Sequence, residues 1–492
     1  MLHTSDNSVA VATENNSFWS ILREAVAGSS RDFTQGSIGL AIFLLAVPMI
    51  LEMLMESIFA IVDIFFVAKL GADAVAVVGL TESILALIYA VAIGLSIGAT
   101  ATVARRTGEK DKEGAEKSAA QAIYLGIFVS IVMGVAGVIF APKLLSLLGG
   151  SPSVIEQGTL FMQLMLGSNA VIVFIFLLNA IFRGAGDASI AMRVLILANA
   201  VNIVLDPLLI FGSDIFGVFG INAPQWLVDN WIFPKWGVTG AAVATVIGRG
   251  TGCLFAIWWL FRPGGRITIH RRNWKADFEI MRNLIKVAAP AVLQFLIGTA
   301  SWSALVRVVA GFGSEAIAGY VVALRIVMFA LLPSVGLSNA AATLVGQNLG
   351  AGKPERSEQS VWKAAFINAA FLGAVGLIFL VFAKAIVGFF TTEPVVMAYG
   401  TDCLRIVAYG FVFYGFGMVM ETAFNGAGDT WTPTYLNLFI FWLFEIPLAY
   451  VLAYHFNFGP SGVFWAITIA FSVLAVVSAI LFRRGKWKLK VV

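Results

Sequence analysis

Charge is what this 492-residue sequence has least of: 12% of its residues are Asp, Glu, Lys or Arg, while 59% are hydrophobic. Soluble domains carry roughly a quarter charged residues, which argues against a water-soluble fold of this size. Cysteine and histidine are nearly absent. Cys253 and Cys403 both fall in apolar runs, which argues against a disulfide framework or a thiolate metal site. His3, His270 and His455 are scattered through separate segments, which leaves a zinc enzyme without support. There is no glycine-rich loop ending in Gly-Lys-Ser/Thr, which argues against direct ATP hydrolysis. Gly94-Leu95-Ser96-Ile97-Gly98 spells a hydrolase elbow, but it lies inside an apolar run with no strand before it, and close packing by small residues explains it better.

What the sequence has is a succession of apolar runs, each long enough to cross roughly 30 Å of hydrocarbon. A crossing segment must satisfy its own backbone hydrogen bonds, so each run is predicted to be a helix. About twelve are expected, the first near residues 41–67 and the last near 462–482, giving an all-α polytopic membrane protein. The first 36 residues are polar and show no cleavable signal peptide. Lys and Arg concentrate after the second and sixth spans and in the tail, with Arg105, Arg106, Arg271, Arg272, Arg483 and Arg484 among them. By the positive-inside rule these segments and both termini are expected in the cytoplasm of a cell carrying this protein in its plasma membrane. The net charge of +4 follows from that topology and does not imply nucleic-acid binding.

An offset of 242 residues aligns the two halves. It places Pro48 on Pro290, Gly71 on Gly313, Gly94-Leu95-Ser96 on Gly336-Leu337-Ser338, and Gly184-Ala185-Gly186-Asp187 on Gly426-Ala427-Gly428-Asp429. A register held this long predicts two homologous six-helix lobes, and an even number of spans makes them parallel repeats with a cavity where they face each other. The expected organisation is a cytoplasmic segment over 1–36, a first lobe over 37–262, a basic cytoplasmic linker over 263–282, a second lobe over 283–483 and a tail over 484–492. Asp187 and Asp429 are each placed to cap the helix that follows.

Ionisable residues inside spans are expensive and count as functional candidates. At 100° per residue, Glu56 lies about 40° and Asp63 about 20° around the first span from Glu52, so three acids within about 17 Å line one face. Such a stripe calls for protons, a metal cation or water. Asn202 and Asp206 share a face of the fifth span, with Asn179 available from the fourth and Thr245 from the sixth; these oxygens suit a hard cation such as Na+. In the second lobe Arg307, Arg325, Glu421 and Glu445 are expected to be buried and to pair with one another structurally.

Together, Pro48, Val62-Asp63 with Gly71, Gly94-Leu95-Ser96, Arg183-Gly184-Ala185-Gly186-Asp187, Asn202 to Pro207 and Gly237 to Ala242 resemble the multidrug and toxic compound extrusion (MATE) family over nearly the whole chain after residue 40. The resemblance implies two six-helix bundles in a V, exporting drug-like amphipathic, often cationic compounds in exchange for Na+ or H+, by alternating access and as a monomer in the lipid bilayer. It implies no cofactor beyond the coupling ion, held around Asp63 by Asn179, Asn202, Asp206 and Thr245. Glu52 and Glu56 depart from the commoner members, and Glu56 is a candidate to enlarge the acidic site. A lipid-linked oligosaccharide flippase of the same superfamily is the alternative, though it would be expected to line its cavity with basic residues. An intramembrane enzyme lacks any nucleophile with a base.

Overall fold

The computed structural model describes residues 17–220 and 224–492; residues 1–16 of the expected amino-terminal segment, His3 among them, lie outside the described residues. Among the described residues there is no strand. Among the same residues eleven helices are long and apolar enough to cross a membrane, and a bent pair makes twelve. They are α1 (Ile38–Ala68), α2 (Ala72–Gly108), α3 (Lys112–Leu147), α4 (Pro152–Gly184), α5 (Ala188–Val218) and α6 (Val238–Phe261), then α7 (Phe278–Ala310), α8 (Ser314–Gly350) and α9 (Pro354–Gly388). The tenth, α10, joins Pro394–Tyr409 to Phe411–Gly426 across a 59° bend, and α11 (Trp431–His455) and α12 (Pro460–Arg483) complete the set.

Local chemistry sets the ends. Gly71 and Gly313, a repeat pair, turn α1 into α2 and α7 into α8 at φ of 105° and 106°, a region open to glycine at little cost. Asp111 caps α3 by accepting from the Gly114 amide at 2.9 Å. Asp277 accepts from the amides of Glu279 and Ile280, so α7 starts several residues before the expected lobe boundary at 283. Asp187 and Asp429 differ from expectation. Each bonds a nearby hydroxyl instead of a helix amide, Ser189 Oγ at 3.0 Å and Thr432 Oγ1 at 2.8 Å, because both turns leave that hydroxyl within closer reach.

The lobes touch reciprocally. A Cβ on Gly94 of α2 would collide with Val292 of α7, and one on Gly336 of α8 would collide with Ile50 of α1, the same contact shifted by the repeat. Lower down, Gly108 lies against the Gln347 carbonyl and Gly350 against the Arg105 carbonyl, again a symmetric pair. This reciprocity gives the two lobes a pseudo-two-fold axis running along the helices. The glycine contacts lie in the halves of α1, α2, α7 and α8 nearest the basic loops, so the V is closed there. Away from that face each lobe packs on itself: Asn199 of α5 donates to the Met55 carbonyl of α1, and Trp442 and Tyr454 of α11 donate to carbonyls of α7.

The basic face is also strapped. Arg266 of the linker donates to the carbonyls of Ser29 and Arg31, while Lys353 and Arg356 of the second lobe donate to those of Thr34, Phe33, Gln35 and Gly36. At the other terminus Arg105 of α2 donates to the Lys490 carbonyl at 2.8 Å, and Trp487 is fully buried. The linker is itself packed on α3, with His270 and Asn273 meeting Glu116, and with Gln121 and Tyr124 donating to the Lys275 and Trp274 carbonyls.

Because Gly108 has backbone and no flexible side chain against it, Gly108→Val is expected to force the basic ends apart. The check is a cysteine at Asn339, in the cavity between the lobes, probed with a membrane-impermeant maleimide. Wild type should label from the face opposite the basic loops, and Gly108→Val should add labelling from the basic face; unchanged sidedness would refute the closure.

Candidate functional site

Two chambers lie side by side. The central one, about 410 Å³, sits between the lobes and is walled by apolar groups such as Met53, Ile97, Phe176, Leu332 and Val335, with Asn339 and Asn425 from the second lobe. The other, about 390 Å³, lies mostly within the first lobe and is lined by Asp63, Glu82, Tyr89, Thr245 and Phe59. Glu56, Ile93, Phe176 and Phe295 line both.

The expected acidic stripe of α1 exists as a face but not as three unpaired carboxylates. Buried Glu52 accepts from Arg183 Nη1 at 2.6 Å and from Asn179 Nδ2 at 3.1 Å. Glu56 accepts from Arg249 Nη2 at 2.7 Å, and that arginine is 3% exposed. Breaking either buried pair by deleting one partner costs about 3–5 kcal/mol, because the survivor is left charged away from water. Of the three, only Asp63 has no hydrogen-bond partner among the described residues, and it stands within Coulombic range of Glu82, Arg249 and Asp206. The polar set expected around it is therefore divided. Asn202 donates to Asp206 Oδ1 at 3.2 Å and approaches Thr245 Oγ1 at 3.5 Å, whereas Asn179 belongs to the Glu52–Arg183 cluster. Asn202 Oδ1 and Asp206 Oδ2 are buried with no donor to satisfy them. Unsatisfied buried oxygens beside a free carboxylate are a donor set fitted to a hard cation, a proton or water.

The second lobe corrects another expectation. Arg307 and Arg325 are exposed and form no ion pair among the described residues, because both project from their helices away from the lobe's interior; Arg325 lies within Coulombic range of Glu82 across the cleft. Glu445 is buried and accepts from Ser301 Oγ at 3.1 Å, and Glu421 has an unpartnered Oε1, so neither meets an arginine. The place equivalent to the acidic chamber is filled. Under the repeat, Asp63, Glu82 and Tyr89 become Leu305, Leu324 and Leu331, and Val78 becomes Tyr320, leaving only about 10 Å³.

Sequence reasoning missed Glu82, Arg183 and Arg249. Glu82 and Arg249 sit inside apolar runs, where the cost of a buried charge was signal enough to single them out. Arg183 was legible only as the first residue of a turn motif, because its partner lies 131 residues away.

The chain resembles known proteins over most of its length. It is 26% identical over 434 residues to the probable multidrug resistance protein YoeA of Bacillus subtilis, covering 87% of this chain and 90% of that one. To the multidrug export protein MepA of Staphylococcus aureus it is 23% identical, covering 89% and 91%. A solved MOP superfamily transporter from Pyrococcus furiosus superposes with a TM-score of 0.84 at 27% identity, over 93% of this chain and 98% of that one. A structure described as the outward-facing conformation of a multidrug resistance MATE family transporter matches with the same TM-score. The MatE family model matches twice, over residues 48–208 and 290–451, two stretches that begin one repeat apart, and the chain belongs to that family.

Proposed function

We propose that the protein exports amphipathic, often cationic, drug-like compounds in exchange for inward Na+ or H+, working by alternating access as a monomer in the plasma membrane. The compound is held in the central chamber, where apolar walls take its body and the Glu56 edge takes its charge. The coupling ion is held in the chamber of the first lobe, by Asp63 together with Asp206, Asn202 and Thr245. The observation that carries this reading is the contrast between repeats: one lobe keeps an open chamber lined by Asp63 and Glu82, and the other fills the same place with leucines and Tyr320. Coupling needs a group whose ion affinity differs between the two orientations of the protein, and Asp63 is the one carboxylate of the α1 stripe left without a hydrogen-bond partner among the described residues. The relatives' names and the family support export of drugs in preference to a flippase, since each arginine in the central chamber is neutralised by a glutamate.

The test is dye efflux from vesicles with Na+ and H+ gradients imposed separately. One gradient should drive wild type. Asp63→Asn should fold, insert and fall to the leak rate, Asp206→Asn should lose roughly tenfold or more in apparent ion affinity, and Glu421→Gln should keep its ion dependence. Uncoupling by Glu421→Gln alone, with both aspartate variants still responding to the gradient, would overturn the assignment to the first lobe.

The same proposal places the basic linker over 263–282, the segment over 1–36 and the tail over 484–492 in the cytoplasm, with the first lobe over 37–262 and the second over 283–483 inserted in parallel. Cys253 and Cys403 are buried, so a cysteine replacing exposed Arg271 reports cleanly. It should react with impermeant reagent only from the cytoplasmic side; reaction from outside intact cells would reverse the orientation.

A further inference from the structure

Arg249 is the one arginine that borders the central chamber on α6, and it is only partly used. Its Nη2 is given to Glu56, but Nε and Nη1 are buried with no acceptor among the described residues. Leaving two guanidinium nitrogens unmet in a low-dielectric wall is costly, so the side chain has a second arrangement to gain from. Its surroundings say where. The guanidinium lies over the Phe59 ring, 4.6 Å from the centroid. On α1, Phe59 stands between Glu56, about 4.5 Å back along the axis, and Asp63, about 6 Å ahead. A guanidinium over a ring keeps part of its attraction while it stays within about 6 Å of the centroid, so the ring offers a path from one carboxylate toward the other. Glu56 meanwhile belongs to both chambers, so a cation entering the central chamber and the arginine compete for one carboxylate.

The other charged or titratable groups in reach are few. Glu52 of α1 is already held by Arg183 of α4, and α2 offers Glu82 and Tyr89. Asp206 of α5 is coupled to Asp63, Cys253 is on α6 itself, and the α7 residues lining these chambers, Phe295 and Thr299, carry no charge. Asp63 is the acceptor that α1 presents on the far side of Phe59.

We propose that Arg249 is a mobile counter-cation shared between Glu56 and Asp63: a cationic substrate that takes Glu56 sends the guanidinium along Phe59 to Asp63 and expels the coupling ion. This rests on the antiport reading above and supplies its linkage. Substrate and coupling ion need never touch, and each weakens the other by the same factor, as reciprocity of binding requires. Arg249 acts here as a positioning residue, since it contacts neither ligand in the resting arrangement.

The experiment uses purified full-length protein in detergent, loaded with radioactive Na+ or held in weak buffer with a pH indicator, and challenged with tetraphenylphosphonium. Wild type should release Na+ or protons on binding the probe, with a mutual affinity change of about 5-fold or more. Arg249→Gln should bind the probe and the ion separately while the mutual effect drops to near one, and Arg249→Lys should restore part of it. Glu56→Gln frees the arginine for Asp63, so it should bind the coupling ion more weakly than wild type before any probe is added. Full release from Arg249→Gln would overturn the proposal, and so would wild-type ion affinity in Glu56→Gln, which decides the matter if Arg249→Gln does not stay monodisperse. Wild type that releases neither ion would instead overturn the antiport reading on which the proposal depends.

Discussion

A carboxylate held away from water must find a cation, a proton or a set of donors, and the arrangement of this protein's first lobe follows from how that requirement is met three times on one helix. Glu52 is met by Arg183 and Asn179, and Glu56 by Arg249. Asp63 is left without a fixed partner. Two satisfied acids tie α4 and α6 to α1, and the third is left facing a chamber. Paired and unpaired carboxylates thus share one helix face, separated only by what the neighbouring helices supply.

The two lobes show how little must change for one repeat to keep a chemistry that the other lacks. Their backbones meet through reciprocal glycine contacts, and those contacts tolerate no side chain on either side. The scaffold is held symmetric where the helices cross. A few positions away from the crossings break the symmetry. Leu305, Leu324 and Tyr320 turn the counterpart of the acidic chamber into packed core, and α11 runs as a wide π-helix over Leu438–Glu445. Filling one chamber of a symmetric frame needs no new fold, only larger apolar side chains at a few positions.

Much of this was legible in the residues. The constant offset of 242 fixed the repeat because insertions are rare within packed spans, and the stripe on α1 followed from helical periodicity alone. Partners were harder. Arg183 and Arg249 meet their glutamates across 131 and 193 residues, and no periodicity within one helix reports which face of another it will oppose. The same blindness explains the second lobe, where Arg307 and Arg325 were expected to neutralise Glu421 and Glu445. Spacing along the chain gave their depth but not their direction, and both arginines point outward.

The strap over residues 29–36 is gripped by Arg266, Lys353 and Arg356 almost wholly through its carbonyl oxygens. Carbonyls are common to every residue, so the grip is blind to which side chains the strap carries. It is sensitive to spacing, because three donors on the linker and the second lobe must each meet a carbonyl at a set contour distance. The segment can therefore drift in composition over evolutionary time while its length stays pinned, and a single inserted or deleted residue would disturb the closed face more than a run of substitutions.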